Sequence, residues 1–200
     1  MEITTLQIIR KSSFTPAPWK NGGGVTYEAI RVPASGDPFS WRVSVAHIDA
    51  SGPFSDFAAY NRKMVLLQGA GIELRFADGI RKTLGKVGDL VEFDGGLAAY
   101  CELTNGPCAD LNLMVSKAMR VTVRVERVIE PVAFNASCNE TMLVFAIDRR
   151  VTLAIDAGNT GTLDPWDLAV LSSCSGQVGT LEPHASALVF VATLEFVSGE

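Results

Sequence analysis

The chain has 200 residues, of which 48% are hydrophobic and 20% are charged. This composition excludes intrinsic disorder, because disordered chains lack the apolar groups needed to offset chain entropy. Seventeen Lys and Arg against 22 Asp and Glu give a net charge of −5. Binding to phosphate backbones requires a basic face, and no long basic run provides one. We therefore expect no direct nucleic acid partner.

The distribution of apolar residues and of cysteines along the chain indicates the cellular compartment of the protein. The N-terminal segment 1–14 alternates apolar and polar residues instead of forming the continuous apolar core of a signal peptide. The most apolar stretch, 187–197, is too short to span a bilayer. The four cysteines are scattered, without metal-ligand spacing, which is typical of buried thiols; they are Cys101, Cys108, Cys138 and Cys174. We expect a cytoplasmic protein that has no membrane partner.

Short segments with period-two alternation or continuous apolar character predict strands along the whole chain. In chain order they are Phe39–Ile48, Lys63–Leu67, Ile72–Phe76, Asp89–Phe93, Ala98–Leu103, Leu111–Val115, Val121–Val128, Met142–Ile147, Val151–Ile155, Leu168–Leu171 and Leu188–Phe196. Glycine, asparagine and aspartate clusters separate many of them. No segment has a long helical period. The pattern indicates an all-β protein built as a sandwich or barrel.

A weak internal repeat refines this architecture. Met64–Leu67 matches Met142–Phe145 at an offset of 78 residues, and Gly88–Leu90 matches Trp166–Leu168 at the same offset. The repeat predicts two similar β-barrels in tandem. We set the predicted domains at 1–118 and 119–200, and strands can be exchanged between them.

The first half resembles the strand–turn–strand core of the cupin superfamily. The resemblance is carried by Leu66–Gly69, Gly71–Leu74 and Gly88–Leu90. Metal-binding cupins place three histidines and one glutamate inside such a barrel. Here the glutamate position falls on Arg62, and the histidine positions have no histidine: they fall on Ser55 and Phe57 (Asp56 and Ala58 with a shorter gap) and on Ala99. A divalent ion needs imidazoles and carboxylates, so we predict no metal and no other cofactor.

An arginine in place of an acid reverses the charge of the pocket. A guanidinium presents donors in a fork that matches a carboxylate. We therefore hypothesise that Arg42 and Arg62, supported by Ser44 and Ser55, hold a small anion such as a carboxylate. The alternative is that each arginine pairs with a nearby acid, for example Asp56 or Asp110.

Two further clusters are candidates for the same pocket. In Pro18–Gly24, three glycines allow close backbone approach, and Trp19, Lys20 and Asn21 offer a flat wall and polar contacts; the alternative is a plain hairpin or β-bulge. In Gly106–Met114, a period of two places Asp110, Asn112 and Met114 on one strand face, although Asp110 and Asn112 also suit the end of a loop.

Four motifs in order resemble the HutD/Ves family: Trp19–Thr26, Trp41–Ala46, Gly52–Phe57 and Gly106–Met114. The resemblance implies a bicupin, with two jelly-roll type barrels fused in tandem, and a link to histidine utilisation as a binder or regulator. Twelve residues fall on motif positions expected to line the first barrel: Trp19, Lys20, Asn21, Thr26, Arg42, Ser44, Phe54, Ser55, Arg62, Asp110, Asn112 and Met114. The chain departs from the family at Asn61, where aspartate is usual, and at Lys117, where arginine is common.

The leading functional hypothesis is therefore a regulatory, metal-independent protein that binds a carboxylate-bearing intermediate such as urocanate or formylglutamate. The alternative is a metal-independent enzyme that acts on a small carboxylate, with Asp110 and Lys20 as its acid/base pair. A third role, formation of a homodimer through the C-terminal barrel, is compatible with either.

Overall fold

The computed structural model describes residues 5–137, 140–155, 159–172 and 177–196. These residues form strands, joined by turns and one short 3-10 turn at Lys11–Ser13. The strands are β1 (Thr5–Ile9), β2 (Thr15–Pro18), β3 (Gly24–Val32), β4 (Trp41–Ile48), β5 (Gly52–Pro53), β6 (Tyr60–Gln68), β7 (Ile72–Phe76), β8 (Arg81–Leu84), β9 (Leu90–Asp94), β10 (Ala99–Leu103), β11 (Cys108–Ser116), β12 (Met119–Val128), β13 (Val132–Ala136), β14 (Glu140–Ala146), β15 (Val151–Ile155), β16 (Asn159–Leu163), β17 (Leu168–Ser172), β18 (Gln177–Pro183) and β19 (Ala187–Phe196). In the described part of the chain, no helix is long and apolar enough to cross a membrane.

The N-terminal unit, Phe14–Lys117, consists of two antiparallel sheets. The larger has the order β2-β3-β4-β11-β6-β9, and the smaller has the order β5-β10-β7-β8. Alternate residues of a strand point to opposite faces, so each sheet presents one apolar face to the other. Met64 and Leu66 of the larger sheet pack in one core with Ile72, Leu74 and Cys101 of the smaller sheet.

The C-terminal unit comprises Met1–Ser13 and Ala118–Glu200. Its larger sheet has the order β1-β17-β14-β19-β12, and its smaller sheet has the order β13-β18-β15-β16. Val144 and Val191 of the larger sheet share a core with Phe134, Val151 and Leu153 of the smaller one. β1 pairs with β17 along its whole length, so this N-terminal strand is part of the C-terminal unit.

The two units repeat one topology. The strand order β4-β11-β6-β9 in the first corresponds to β12-β19-β14-β17 in the second, and β5-β10-β7-β8 corresponds to β13-β18-β15-β16. The offset of 78 residues seen in the sequence thus matches β6 with β14. The prediction of an all-β chain with two similar barrels is confirmed.

Candidate ligand-binding site

The N-terminal unit contains a cavity of about 600 Å³, a size typical of small-molecule sites. All twelve residues selected from the sequence line this cavity. Five further lining residues are Ala17, Pro18, Ala46, Pro53 and Phe57. We call it the Arg62 cavity, after the cationic side chain most deeply buried in its wall.

The wall of the Arg62 cavity is formed by residues that lie opposite one another on three neighbouring strands. On β11, Asp110, Asn112 and Met114 are alternate residues and therefore share one face. Their partners on β4 are Ala46, Ser44 and Arg42, in that order. On the other side of β11, Met114 pairs with Arg62 of β6. Polar and cationic groups from three adjacent strands thus meet inside one cavity.

The glycine-rich segment is a hairpin loop between β2 and β3, so the hairpin alternative is correct, and its side chains also line the cavity. The indole Nε1 of Trp19 donates a hydrogen bond of 2.8 Å to Oγ1 of Thr26. The Trp19 ring contacts that of Phe54 edge-on, with centroids 6.3 Å apart. Close backbone approach is required at Gly24, because a Cβ there would lie 2.3 Å from the carbonyl oxygen of His47.

We expect Gly24→Ala to lower the free energy of unfolding by about 2 kcal/mol or more, as overpacking against fixed atoms does. The added methyl group would force β3 away from β4. Gly52→Ala is the matched control, because its Cβ would meet nothing closer than 3.9 Å. Urea denaturation of both variants measures the effect; equal stability of the two would contradict the assigned packing.

Arg62 is only 5% exposed, although it carries a charge. Its Nε donates a long hydrogen bond of 3.4 Å to Oδ1 of Asn112. Its Cζ lies 5.0 Å from the ring centroids of Phe54 and Phe93, within range of cation–π attraction. Burial lowers the pKa of Arg62 to about 10, and Asp110 partly opposes this shift. The guanidinium therefore remains protonated at neutral pH.

Arg42 supplies a second guanidinium. Its Nε lies 3.4 Å from Oε2 of Glu28, and its Cζ lies 5.9 Å from the ring centroid of Phe57. Burial lowers the pKa of Arg42, while Glu28 raises it. The acid that pairs with Arg42 is thus Glu28 of the neighbouring strand, and not Asp56 or Asp110.

Asp110 is fully buried, yet it lines the cavity. Neither of its carboxylate oxygens accepts a hydrogen bond. Burial raises the pKa of Asp110 to about 7; attraction to Arg62 and the nearby side-chain amide of Asn112, which lies outside hydrogen-bond geometry, lower it only in part. The group is thus poised between its neutral and ionised forms near neutral pH.

The polar groups of the cavity do not fit a divalent cation. Asp110 is the one carboxylate in its lining, which also includes the guanidinium groups of Arg42 and Arg62. His47 is not among the lining residues. Nowhere in the described ranges do three or more His, Cys, Asp or Glu side chains group as metal ligands. A bound metal ion would face repulsion from Arg62 and would find too few anionic donors.

Among the residues that sequence reasoning missed, Phe57 and Glu28 contact the two arginines. The ring centroid of Phe57 is 5.8 Å from the Cζ of Arg62. Phe57 falls on a histidine position of the metal-binding cupin pattern, and this position could have identified it as a lining residue. Glu28 shares a face with Thr26 at a period of two. Of the predicted cysteines, Cys101 and Cys108 are buried free thiols; Cys138 and Cys174 lie outside the described residues.

The C-terminal unit fills the corresponding space with apolar side chains. Leu66 pairs with Asp110 in the first unit, and in the second Val144 pairs with Val191. Val191 is 1% exposed and belongs to the core. A valine thus occupies the register position that holds the buried acid of the Arg62 cavity.

Proteins with two tandem barrels of this topology form one fold class, the bicupins. The fold resembles that of oxalate decarboxylase from Lactobacillus farciminis, with a TM-score of 0.69 over 96% of this chain and 87% of that one, at 8% identity. At this identity the likeness concerns the fold alone.

The particular family follows from closer matches: the chain belongs to the HutD family, whose profile matches residues 11–189. A 21.2 kDa protein from the hutC 3′ region of Pseudomonas putida is 33% identical over 82% of this chain and 86% of its own. The protein Ves of Escherichia fergusonii is 33% identical over 48% of this chain and 50% of its own.

Two solved structures resemble this chain in both fold and sequence. HutD from Pseudomonas fluorescens SBW25, described under a formate condition, has a TM-score of 0.80 and 28% identity over 97% of this chain and all of that one. A conserved protein of unknown function from Pseudomonas aeruginosa PAO1 has a TM-score of 0.88 and 31% identity over 96% of this chain and 99% of that one.

Proposed function

We propose that the chain is a regulatory protein that binds a small carboxylate in the Arg62 cavity without a metal ion. One observation carries the proposal. The Arg62 side chain is nearly buried, and its terminal nitrogens make no hydrogen bond or ion pair with any residue in the described part of the chain. A buried guanidinium with unused donors is suited to bidentate binding of a carboxylate.

The family assignment narrows the ligand class. The relative from the hutC 3′ region supports a link to histidine utilisation, and the intermediates of that route, urocanate, formiminoglutamate and formylglutamate, all carry carboxylates. We therefore propose urocanate or formylglutamate as the ligand. The proposed setting is the cytoplasm, with no nucleic acid or membrane contact by this chain and with a homodimer as a further expectation.

Thermal-shift measurements with urocanate, formylglutamate, glutamate and histidine test the proposal. A ligand present at 100 times its Kd stabilises the folded state by about 2.7 kcal/mol. We expect such a shift for urocanate or formylglutamate and none for the methyl ester of urocanate, which lacks the negative charge. If no carboxylate in the panel raises the melting temperature, the proposal is wrong.

An enzymatic role is the second candidate, and one observation favours it. The pKa of Asp110, about 7, suits a general acid or base at neutral pH, and Lys20 lines the same cavity. Incubation of the protein with each ligand, followed by chromatography, separates the two roles. We expect unchanged ligand; product formation would favour the enzyme.

A further inference from the structure

The unpartnered acid of the Arg62 cavity needs a physical explanation. Asp110 is fully buried, and both of its carboxylate oxygens lack a hydrogen-bond partner. Buried polar groups in native proteins almost always have partners, and an exception requires a specific reason. Because Asp110 lines the cavity, the missing partner can be a group that enters the cavity with the ligand.

The fold itself does not require an acid at this position. In the C-terminal unit, the residue in the corresponding register of β19 is Val191, which is buried among apolar side chains. The position therefore accepts a purely apolar side chain. Because an unpartnered buried acid weakens the core at this point, folding alone does not account for Asp110.

The charged and titratable groups around Asp110 leave it unsatisfied. Arg62 of β6 attracts it but forms no ion pair with it, and Arg42 of β4 is already close to Glu28. Cys101 of β10 interacts with Asp110, and burial keeps this thiol protonated by raising its pKa to about 12. Lys20, on the loop after β2, lines the same cavity, and no hydrogen bond from it reaches either carboxylate oxygen.

The position of Asp110 defines a second contact point. Asn112, which touches Arg62, and Asp110 are alternate residues of β11, so their Cα atoms are about 7 Å apart. A ligand whose carboxylate meets Arg62 can therefore place a group several ångströms further along beside Asp110.

We propose that the Arg62 cavity selects a two-ended ligand, which carries a carboxylate for Arg62 and Arg42 at one end and an N–H donor for Asp110 at the other. This inference rests on the proposed function, because it assumes that the cavity binds a carboxylate. The class includes carboxylates that bear an imidazole, amide or formimino group. Monofunctional carboxylates bind through the guanidinium end alone.

Pyrrolylacrylate and furylacrylate test the inference, because they differ only in a ring N–H that is replaced by oxygen. Isothermal titration calorimetry at pH 8 should give an affinity at least tenfold higher for pyrrolylacrylate, since a site built to accept a hydrogen bond rejects the analogue that lacks it. In Asp110→Val, for which Val191 is the precedent, the two affinities should become equal.

A second measurement uses the unaltered protein. Because an ionised Asp110 accepts the N–H, the affinity for pyrrolylacrylate should rise about tenfold between pH 6 and pH 8, whereas the affinity for furylacrylate should not rise. Equal affinities of both compounds at pH 8, or tighter binding of furylacrylate, would overturn this inference and leave carboxylate binding intact. Failure of both compounds to bind would overturn the proposed function together with the inference.

Discussion

Replacing Arg62 with glutamine is expected to lower the affinity for urocanate or formylglutamate by about 100-fold. The substitution removes the positive charge and the forked donors, and loss of one partner of a buried charged contact costs about 2–5 kcal/mol. A factor of ten in affinity corresponds to about 1.4 kcal/mol. Isothermal titration calorimetry of both proteins measures the change directly.

Two further variants test whether the loss of affinity comes from the forked guanidinium of Arg62. Arg62→Lys retains the charge but not the planar fork, so we expect an intermediate loss of about tenfold. Arg81→Gln is the matched control, because Arg81 lies on the smaller sheet of the N-terminal unit, is largely exposed and does not line the cavity. Full affinity in Arg62→Gln would show that the carboxylate binds elsewhere.

Replacing Asp110 with asparagine is expected to stabilise the unliganded protein above pH 7. The pKa of Asp110 rises from 3.8 to about 7 on folding, mainly through burial, so the folded state disfavours the ionised form. This cost is absent below the unfolded pKa, grows as the pH rises from about 4 to 7 and is complete above pH 7. With about 1.4 kcal/mol per pKa unit, its full size is about 4 kcal/mol.

The pH dependence distinguishes this effect from a simple change of packing. Urea unfolding of wild type and Asp110→Asn at several pH values should give a difference in unfolding free energy that grows between pH 4 and pH 7 and then becomes constant. An effect of the asparagine amide on packing would change the unfolding free energy by the same amount at every pH. A difference that does not change with pH would contradict the raised pKa of Asp110.

Period-two faces allowed much of the site to be predicted. Arg42 and Ser44 share one face of a strand, as do Asp110 and Asn112, and this is evident from spacing alone. The spacing does not show which face points inward or that the two strands are neighbours. Both features depend on the pairing of segments more than 60 residues apart. The cupin and HutD/Ves resemblances provided this information, as well as the place of the Trp19 loop.

The missed features have physical reasons. β8 and β16 are short and rich in polar residues, so no apolar alternation marks them as strands. The pairing of β1 with β17 joins opposite ends of the chain, and local sequence carries no signal for it. The contact between Glu28 and Arg42 likewise depends on the pairing of β3 with β4, in which the register shifts between Glu28 and Ile30.

The most direct test of the account is a crystal structure of the protein grown with urocanate or formylglutamate. We expect the ligand carboxylate inside the N-terminal unit, with its oxygens about 2.7–2.9 Å from guanidinium nitrogens of Arg62. A transition-metal ion coordinated in that cavity, or a ligand carboxylate that contacts neither Arg62 nor Arg42, would contradict it.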